Sequence, residues 1–146
     1  MGTPILVDDR EPDYMLNKLS QFGLMVASSR LEFGDYAFYP HGLSIGIERK
    51  TISDLLSSMS SKRLVAQAHG IVEHYDLAIL LREGSFRKGL SQYVQYNDPR
   101  HPEADTEGWV RTGWARSTFQ GIMFDFWHLG IVVWDCPVLG EAAMDI

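Results

Sequence analysis

The sequence predicts an α/β domain built around a mixed β-sheet. Three observations carry that expectation. Apolar segments of strand length alternate along the chain with segments of helical apolar spacing. One strand candidate, 77–81, is a continuous apolar run of the kind buried on both sheet faces, and 131–134 reads as a last buried strand. A length of 146 residues fits one domain with one buried core, so a single domain over 1–146 is expected.

The elements follow in order. Ile5-Leu6-Val7 reads as a short buried strand running into Asp8-Asp9-Arg10-Glu11. Residues 14–22 set Met15, Leu16, Leu19 and Phe22 at helical spacing, and Gly23 closes that helix. A strand over 24–31 centres on Met25-Val26-Ala27, and another over 34–39 is bounded by Gly34 and Pro40. After the turn at His41-Gly42, Leu43, Ile45 and Ile47 alternate through a half-buried strand that ends at Glu48. A helix starts at Ser53-Asp54, either of which can cap it, and runs, or breaks and resumes, through Lys62, Arg63, Gln67 and Tyr75. Beyond the strand at 77–81, residues 82–116 read as a long polar loop punctuated by Gly84, Gly89, Pro99, Pro102, Gly108 and Gly113. An apolar helix over 119–129 and a last strand over 131–134, ended by Pro137, complete the chain. The expected order is strand, helix, three strands, helix, strand, helix, strand.

Composition narrows the class. The hydrophobic fraction is 45% and the charged fraction 22%, ordinary for a globular domain. No apolar run approaches the roughly 20 residues that span a bilayer, so no membrane partner is expected. Met1-Gly2-Thr3-Pro4 does not read as a signal peptide. The lone Cys136 rules out an intrachain disulfide and suits a reducing intracellular setting: cytoplasm or nucleoid in a prokaryote or virus, nucleus in a eukaryote.

The net charge of −6 is unevenly spread. Residues 1–48 hold seven acids and three bases, 49–116 eight acids and ten bases, and 117–146 four acids and no Lys or Arg. Such a chain is a weak polyanion binder alone.

The chemistry-bearing cluster is Gly34-Asp35-Tyr36, Glu48-Arg49-Lys50 and Asp54. Antiparallel neighbours bring Asp35 and Glu48 together, and two close carboxylates repel each other unless a cation intervenes. Mg²⁺ prefers hard oxygen ligands and often takes only one or two carboxylates, and Mn²⁺ suits the same donors. Lys50 lies two residues after Glu48 and shares its strand face. Arg49 points away, toward a structural partner or a phosphate. Asp54 is read either as a cap carboxylate at a helix N-terminus or as a supporting residue near Lys50. The bland alternative for Glu-Arg-Lys alone is a solvated rim of weak ion pairs. His69, His74 and His128 show no metal-ligand spacing.

In context, the cluster resembles the XPF-type nuclease family, a branch of the PD-(D/E)xK restriction-endonuclease-like superfamily. The matching segments are Val7-Asp8-Asp9-Arg10-Glu11, Gly34-Asp35-Tyr36 and Glu48-Arg49-Lys50 with Asp54; then Ser57 or Ser58, Arg63-Leu64 and Gln67. The likeness is close over 5–82 and by pattern alone over 117–138. It implies a restriction-endonuclease-like mixed sheet flanked by helices. It also implies a metal-dependent endonuclease that hydrolyses DNA phosphodiesters at branched or flap structures in repair or recombination. Asp35 and Glu48 are then the ligands of Mg²⁺ or Mn²⁺ and Lys50 the catalytic lysine. Arg49 belongs to the active centre, Asp8 and Glu11 are acidic neighbours of the metal, and Arg63 and Gln67 position phosphates or brace the site. The alternative is a non-catalytic DNA-binding or scaffolding subunit, in which the acids and the lysine are replaced; here all three are intact. A sequence-specific restriction-type enzyme is a third reading, since fold alone does not decide function. Family members commonly carry a helix-hairpin-helix module after the nuclease domain. The sequence holds none, which leaves a piece of a longer protein or a small stand-alone nuclease.

Two further features bear on partners. Arg82, Arg87, Lys88, Arg100, Arg111 and Arg116 interleave with Tyr93, Tyr96, Trp109 and Trp114 over 82–116, a mixture that suits unpaired DNA. Five acids in the same stretch hold its net charge to +1, and the tryptophans are equally explained by packing on the domain or a second subunit. Phe119, Ile122, Met123, Phe126 and Trp127 read as core, with part of the stripe left for a dimer face. The resemblance implies the same: a homodimer, or a heterodimer with a related chain.

Overall fold

Alternation along one strand shows how the core divides. In Leu77–Glu83 (β5), Ala78 and Leu80 join one buried cluster, while Ile79 and Leu81 join another. A strand buried on both faces needs no polar alternation, which is why its sequence is a continuous apolar run.

The computed structural model describes residues 4–59, 63–88, 92–136 and 146. Met1, Gly2, Thr3, Lys62, Gly89 and Pro137, named above, lie outside them. The remaining elements are β1 (Ile5–Asp8), α1 (Asp13–Gln21), β2 (Val26–Ser29), β3 (Tyr36–Phe38), β4 (Ile45–Thr51), α2 (Ile52–Met59), α3 (Arg63–His74), β6 (Phe86–Lys88), β7 (Tyr93–Asn97), β8 (Trp109–Ala115), α4 (Arg116–Leu129) and β9 (Ile131–Cys136). The main sheet has the order β2-β1-β3-β4-β5-β9. It is mixed, with β3 antiparallel to β1 and β4 and the other pairs parallel. The expected α/β class with a mixed sheet flanked by helices is what forms.

Helices cover both faces. Met15 and Leu19 of α1, four residues apart, pack with Val7, Tyr36, Ile47, Ile79 and Leu81. On the other face, Leu55 of α2, Leu64 and Ile71 of α3, and Phe119 and Phe126 of α4 pack on Ala37, Ala78, Leu80 and Ile131. Gly23 follows the last turn of α1 in a left-handed conformation (φ 78°), as expected of a helix stop.

Three expectations are corrected. The strand expected to end at Glu48 continues to Thr51, so Lys50 sits within β4. The helix after it begins at Ile52, and its cap is neither Ser53 nor Asp54: the Thr51 hydroxyl oxygen accepts the Asp54 N–H at 3.1 Å. Residues 82–116 are not one loop. They carry the end of β5 and a second, three-stranded antiparallel sheet in the order β6-β7-β8. Phe86, Val94, Tyr96 and Val110 turn inward onto the core. Each of those strands holds only one or two buried apolar residues among polar ones, too little alternation to stand out without the core they rest on. The two tryptophans divide: Trp114 packs on the core, and Trp109 lies under the Arg87 guanidinium at 4.0 Å.

Candidate active site

A tight approach of two strands sets the first acid. Gly34 has φ 81°, and a Cβ there would stand 3.3 Å from the Ile47 carbonyl oxygen, so a side chain is excluded by backbone and space together. The next residue is locked on both sides. Asp35 N–H donates to the Ile47 carbonyl at 2.8 Å, and the Asp35 carbonyl accepts Asp8 N–H at 2.8 Å.

The β3–β4 register pairs Tyr36 with Ile47; carried one residue further, it sets Asp35 opposite Glu48. Cross-strand partners share a face. Lys50 shares it too, two residues along β4, and its Nζ lies 3.8 Å from Glu48 Oε1 with both side chains largely buried. Asp35 Oδ2 also accepts the Arg49 backbone N–H at 2.8 Å. Burial, then repulsion from Glu48 and Glu11, pushes the Asp35 carboxyl up to about 8 against the pull of the Arg49 N–H and guanidinium. Glu48 is raised as well, chiefly by burial, with Lys50 opposing and Glu11 adding to the shift. The cluster thus holds more negative charge than its own cations relieve.

The opposite face of the same strand is built differently. Arg49 alternates away from Glu48 and Lys50, as expected. Its Nε donates to Glu11 Oε2 at 2.9 Å and its Nη1 to Glu83 Oε1 at 3.1 Å. All three side chains are nearly or fully buried. Burial works against the Arg49 charge, but Glu11 and Glu83 outweigh it and keep the guanidinium protonated. Tyr36 donates its hydroxyl to the same Glu11 oxygen, and burial with Glu11 holds that hydroxyl in its neutral form. The structural partners of Arg49 left open above are therefore Glu11 and Glu83. Glu83 was not singled out from the sequence. Its signal is an acid closing a continuous apolar strand, a position where an unpaired carboxylate would be costly.

The other sequence candidates fall in several places. Asp8 is a structural joint: its carboxylate accepts Arg10 Nε at 2.7 Å, Arg10 Nη2, Arg10 N–H and, at 2.9 Å, Leu31 N–H. Burial raises its carboxyl, but those donors win and hold it below the usual range. Gln67 lines a narrow cleft with Glu48 and Lys50. Arg63, one helical turn earlier on α3, is exposed. Asp54 is exposed in the first turn of α2, where the helix dipole favours an acid. Arg111 is exposed on β8, and Arg116 is exposed at the start of α4.

Among the described residues, no three His, Cys, Asp or Glu side chains converge as a ready-made metal cage. The donor set still suits one kind of ion. Two facing carboxylates, both made reluctant to ionise by burial and mutual repulsion, match a hard divalent cation that completes its shell with water.

Comparison with known proteins identifies the family. The model of the ERCC4 domain matches residues 7–123. The chain is 39% identical over 90 residues to the DNA repair endonuclease UVH1 of Arabidopsis thaliana, covering 61% of this chain and 9% of that protein. It is 35% identical over 81 residues to the 3′-flap repair endonuclease Xpf of Saccharolobus solfataricus, covering 55% of this chain and 34% of that one. The chain thus spans only a minor part of the curated relatives it matches. The solved structure of XPF from Aeropyrum pernix superposes with a TM-score of 0.67 at 24% identity, over 98% of this chain and 61% of that one, which shows a shared fold. A second structure of that protein, titled as a complex with DNA, gives a TM-score of 0.64 at 23% identity, over 97% of this chain and 60% of that one.

Proposed function

The chain belongs to the ERCC4 domain family, and on that premise we propose that it is a metal-dependent endonuclease acting inside the cell on DNA at branched or flap structures. The observation that supports this reading above the others is the pairing of Asp35 with Glu48 on one sheet face, with Lys50 beside them. A scaffolding relative has no need of two part-buried acids set face to face beside a lysine.

Asp35 and Glu48 would hold Mg²⁺ or Mn²⁺. When bound, such an ion lowers the pKa of water and neutralises charge on a phosphodiester. The chain supplies the rest. The Arg49 N–H holds Asp35 Oδ2, so the first ligand keeps its orientation before an ion arrives. Lys50, a short reach from Glu48, offers a fixed ammonium for the negative charge that builds on the phosphorus oxygens during attack. Glu11, paired with Arg49, acts on the site by its charge and by keeping that arginine in place. Gln67, on the rim of the cleft, and Arg63, one turn away, are placed to meet a DNA backbone entering over α3. Asp54 supports the helix next to Lys50.

The test is cleavage of labelled flap, fork and duplex DNA. Activity should vanish in chelator and return with Mg²⁺ or Mn²⁺; full activity in chelator would sink the assignment.

Dimerisation, as a homodimer or with a related chain, belongs to the same proposal. It is supported by the adjoining α4 and edge strand β9: Phe124 (65% exposed) and Trp127 (71%) line a groove of about 600 Å³, and Trp134 (50%) stands open on β9. Phe126, by contrast, is 4% exposed and belongs to the core. Trp127→Arg is the substitution that tests the face, and sedimentation the readout.

A further inference from the structure

The three-stranded sheet has an outer face that the proposed catalytic site does not use. Its inner residues, Val94, Tyr96 and Val110, are buried. Strand alternation sends Arg87, Gln95 and Arg111 outward as one cross-strand row, since Arg87 pairs with Gln95 and Gln95 with Arg111. The row is ordered by its own contacts. Arg87 Nε donates to Gln95 Oε1 at 3.1 Å, and its guanidinium lies over the Trp109 ring, 4.0 Å from the centroid. At the far end of β7, Tyr93 is 45% exposed and pairs with Ala115, so the exposed Arg116 follows directly beside it.

Neither Arg87 nor Arg111 forms an ion pair among the described residues. Asp105 feels both, but its Oδ1 is already taken by the N–H groups of Glu107 and Trp109 at 2.9 Å. The sheet also stands next to the proposed catalytic edge. Tyr96, Asn97 and Asp98 share a small cleft with Thr51, Ile52 and Ser53, which directly follow Lys50.

We propose that the outer face of the β6-β7-β8 sheet is a contact surface for a single-stranded segment of DNA, with phosphates on Arg87 and Arg111 and a base stacked on Tyr93. This rests on the DNA substrate proposed above and extends it to a second surface. Two guanidiniums without ion pairs among the described residues, on one sheet face with the open Tyr93 ring, suit a strand whose phosphates and base faces are both accessible. A duplex buries its base faces and would leave Tyr93 unused. Arg87, already held against Trp109, loses little freedom when a phosphate arrives. The strand released at a branch would then lie along this sheet while the duplex arm meets the Asp35–Glu48 edge.

The test uses a fluorescein-labelled 20-nucleotide oligothymidylate and a 20-base-pair duplex, with binding read by anisotropy in chelator across a salt series. Thermal melting of each variant confirms that the fold is retained. For Arg87→Ala with Arg111→Ala, single-strand affinity should fall, and the slope of log affinity against log salt should shrink by about 1.4, roughly 0.7 for each phosphate no longer held. Tyr93→Ala should weaken single-strand binding on the order of ten-fold with the slope unchanged. Duplex affinity should respond little to either. Unchanged single-strand affinity and slope in the double variant, or an equal loss on duplex, would overturn the proposal. Lys50→Ala, assayed for cleavage of labelled flap DNA in Mg²⁺ and for oligothymidylate binding in chelator, separates the two readings. If that variant still cuts DNA, the catalytic reading falls while a response of oligothymidylate binding to the arginines keeps the surface. If it is inactive and the arginines prove silent, the nuclease reading stands and the surface is removed.

Discussion

The two faces of β4 carry charge in opposite ways. On the face toward α3, Asp35 and Glu48 oppose each other beside Lys50, and both carboxyls are raised despite the pull of Arg49 on Asp35 and of Lys50 and Arg10 on Glu48. On the face toward α1, Glu11 and Glu83 close on one guanidinium, and the arginine stays charged despite burial. Successive residues, Glu48, Arg49 and Lys50, divide between the two. Each face sets two carboxylates against one cation, but on the α1 face both hydrogen-bond to the guanidinium, whereas on the α3 face the Lys50 ammonium stands 3.8 Å from Glu48. That looser neutralisation of a largely buried acid pair is what the proposed cation site rests on.

Substitutions can break this contrast. The largest effect is expected from Arg49→Ala, which strands Glu11 and Glu83 with no countercharge. Breaking a buried pair by removing one partner costs about 3–5 kcal/mol, and melting should register it even without metal or DNA. A melting temperature close to that of the unaltered chain would mean that the α1 face is not the stabilising one.

Lys50→Ala is the complement. It should leave the melting temperature nearly unchanged yet lower the single-turnover cleavage rate by about two to three orders of magnitude, with DNA affinity little altered. Lys18, outside the site on α1, is the control position. Equal small losses at Lys50 and Lys18 would reduce Lys50 to a surface charge.

A smaller effect is expected from pH. Asp35 has a folded pKa of about 8, above its unfolded value of 3.8. The folded chain therefore binds the extra proton between those values, and its stability falls as pH rises through that window. In chelator, melting should drop from pH 5 to pH 8. The drop should flatten in Asp35→Asn and shrink when Mg²⁺ is added. A flat profile in the unaltered chain would show that the two carboxylates are not set against each other.

The smallest is Thr51→Ala, which removes the α2 cap for about 1 kcal/mol. Because Thr51 follows Lys50 directly, cleavage should fall slightly with stability, whereas cleavage that falls far beyond it would give Thr51 a place in the site.

Much of this was legible in the sequence for a simple reason: the elements involved are local. Asp35 directly precedes β3 and Glu48 lies on its antiparallel neighbour β4, so strand period and a short connection set them on one face, with Lys50 two residues on. The apolar run at 77–81 announced the doubly buried β5, and Met15 with Leu19 announced the face of α1; the run at 131–134, expected to be buried, instead forms the edge strand β9, where Val132 (43%) and Trp134 (50%) stay exposed. What only the tertiary structure decided involves residues far apart. Arg49 reaches Glu11 and Glu83 across 38 and 34 positions of sequence, and no periodicity encodes which distant acid meets which cation. The second sheet within 82–116 depends equally on the core beneath it: Val94, Tyr96 and Val110 become strand residues because burial rewards that alternation, not because their neighbours demand it. Local spacing determines which side chains share a face; only packing determines what lies against it.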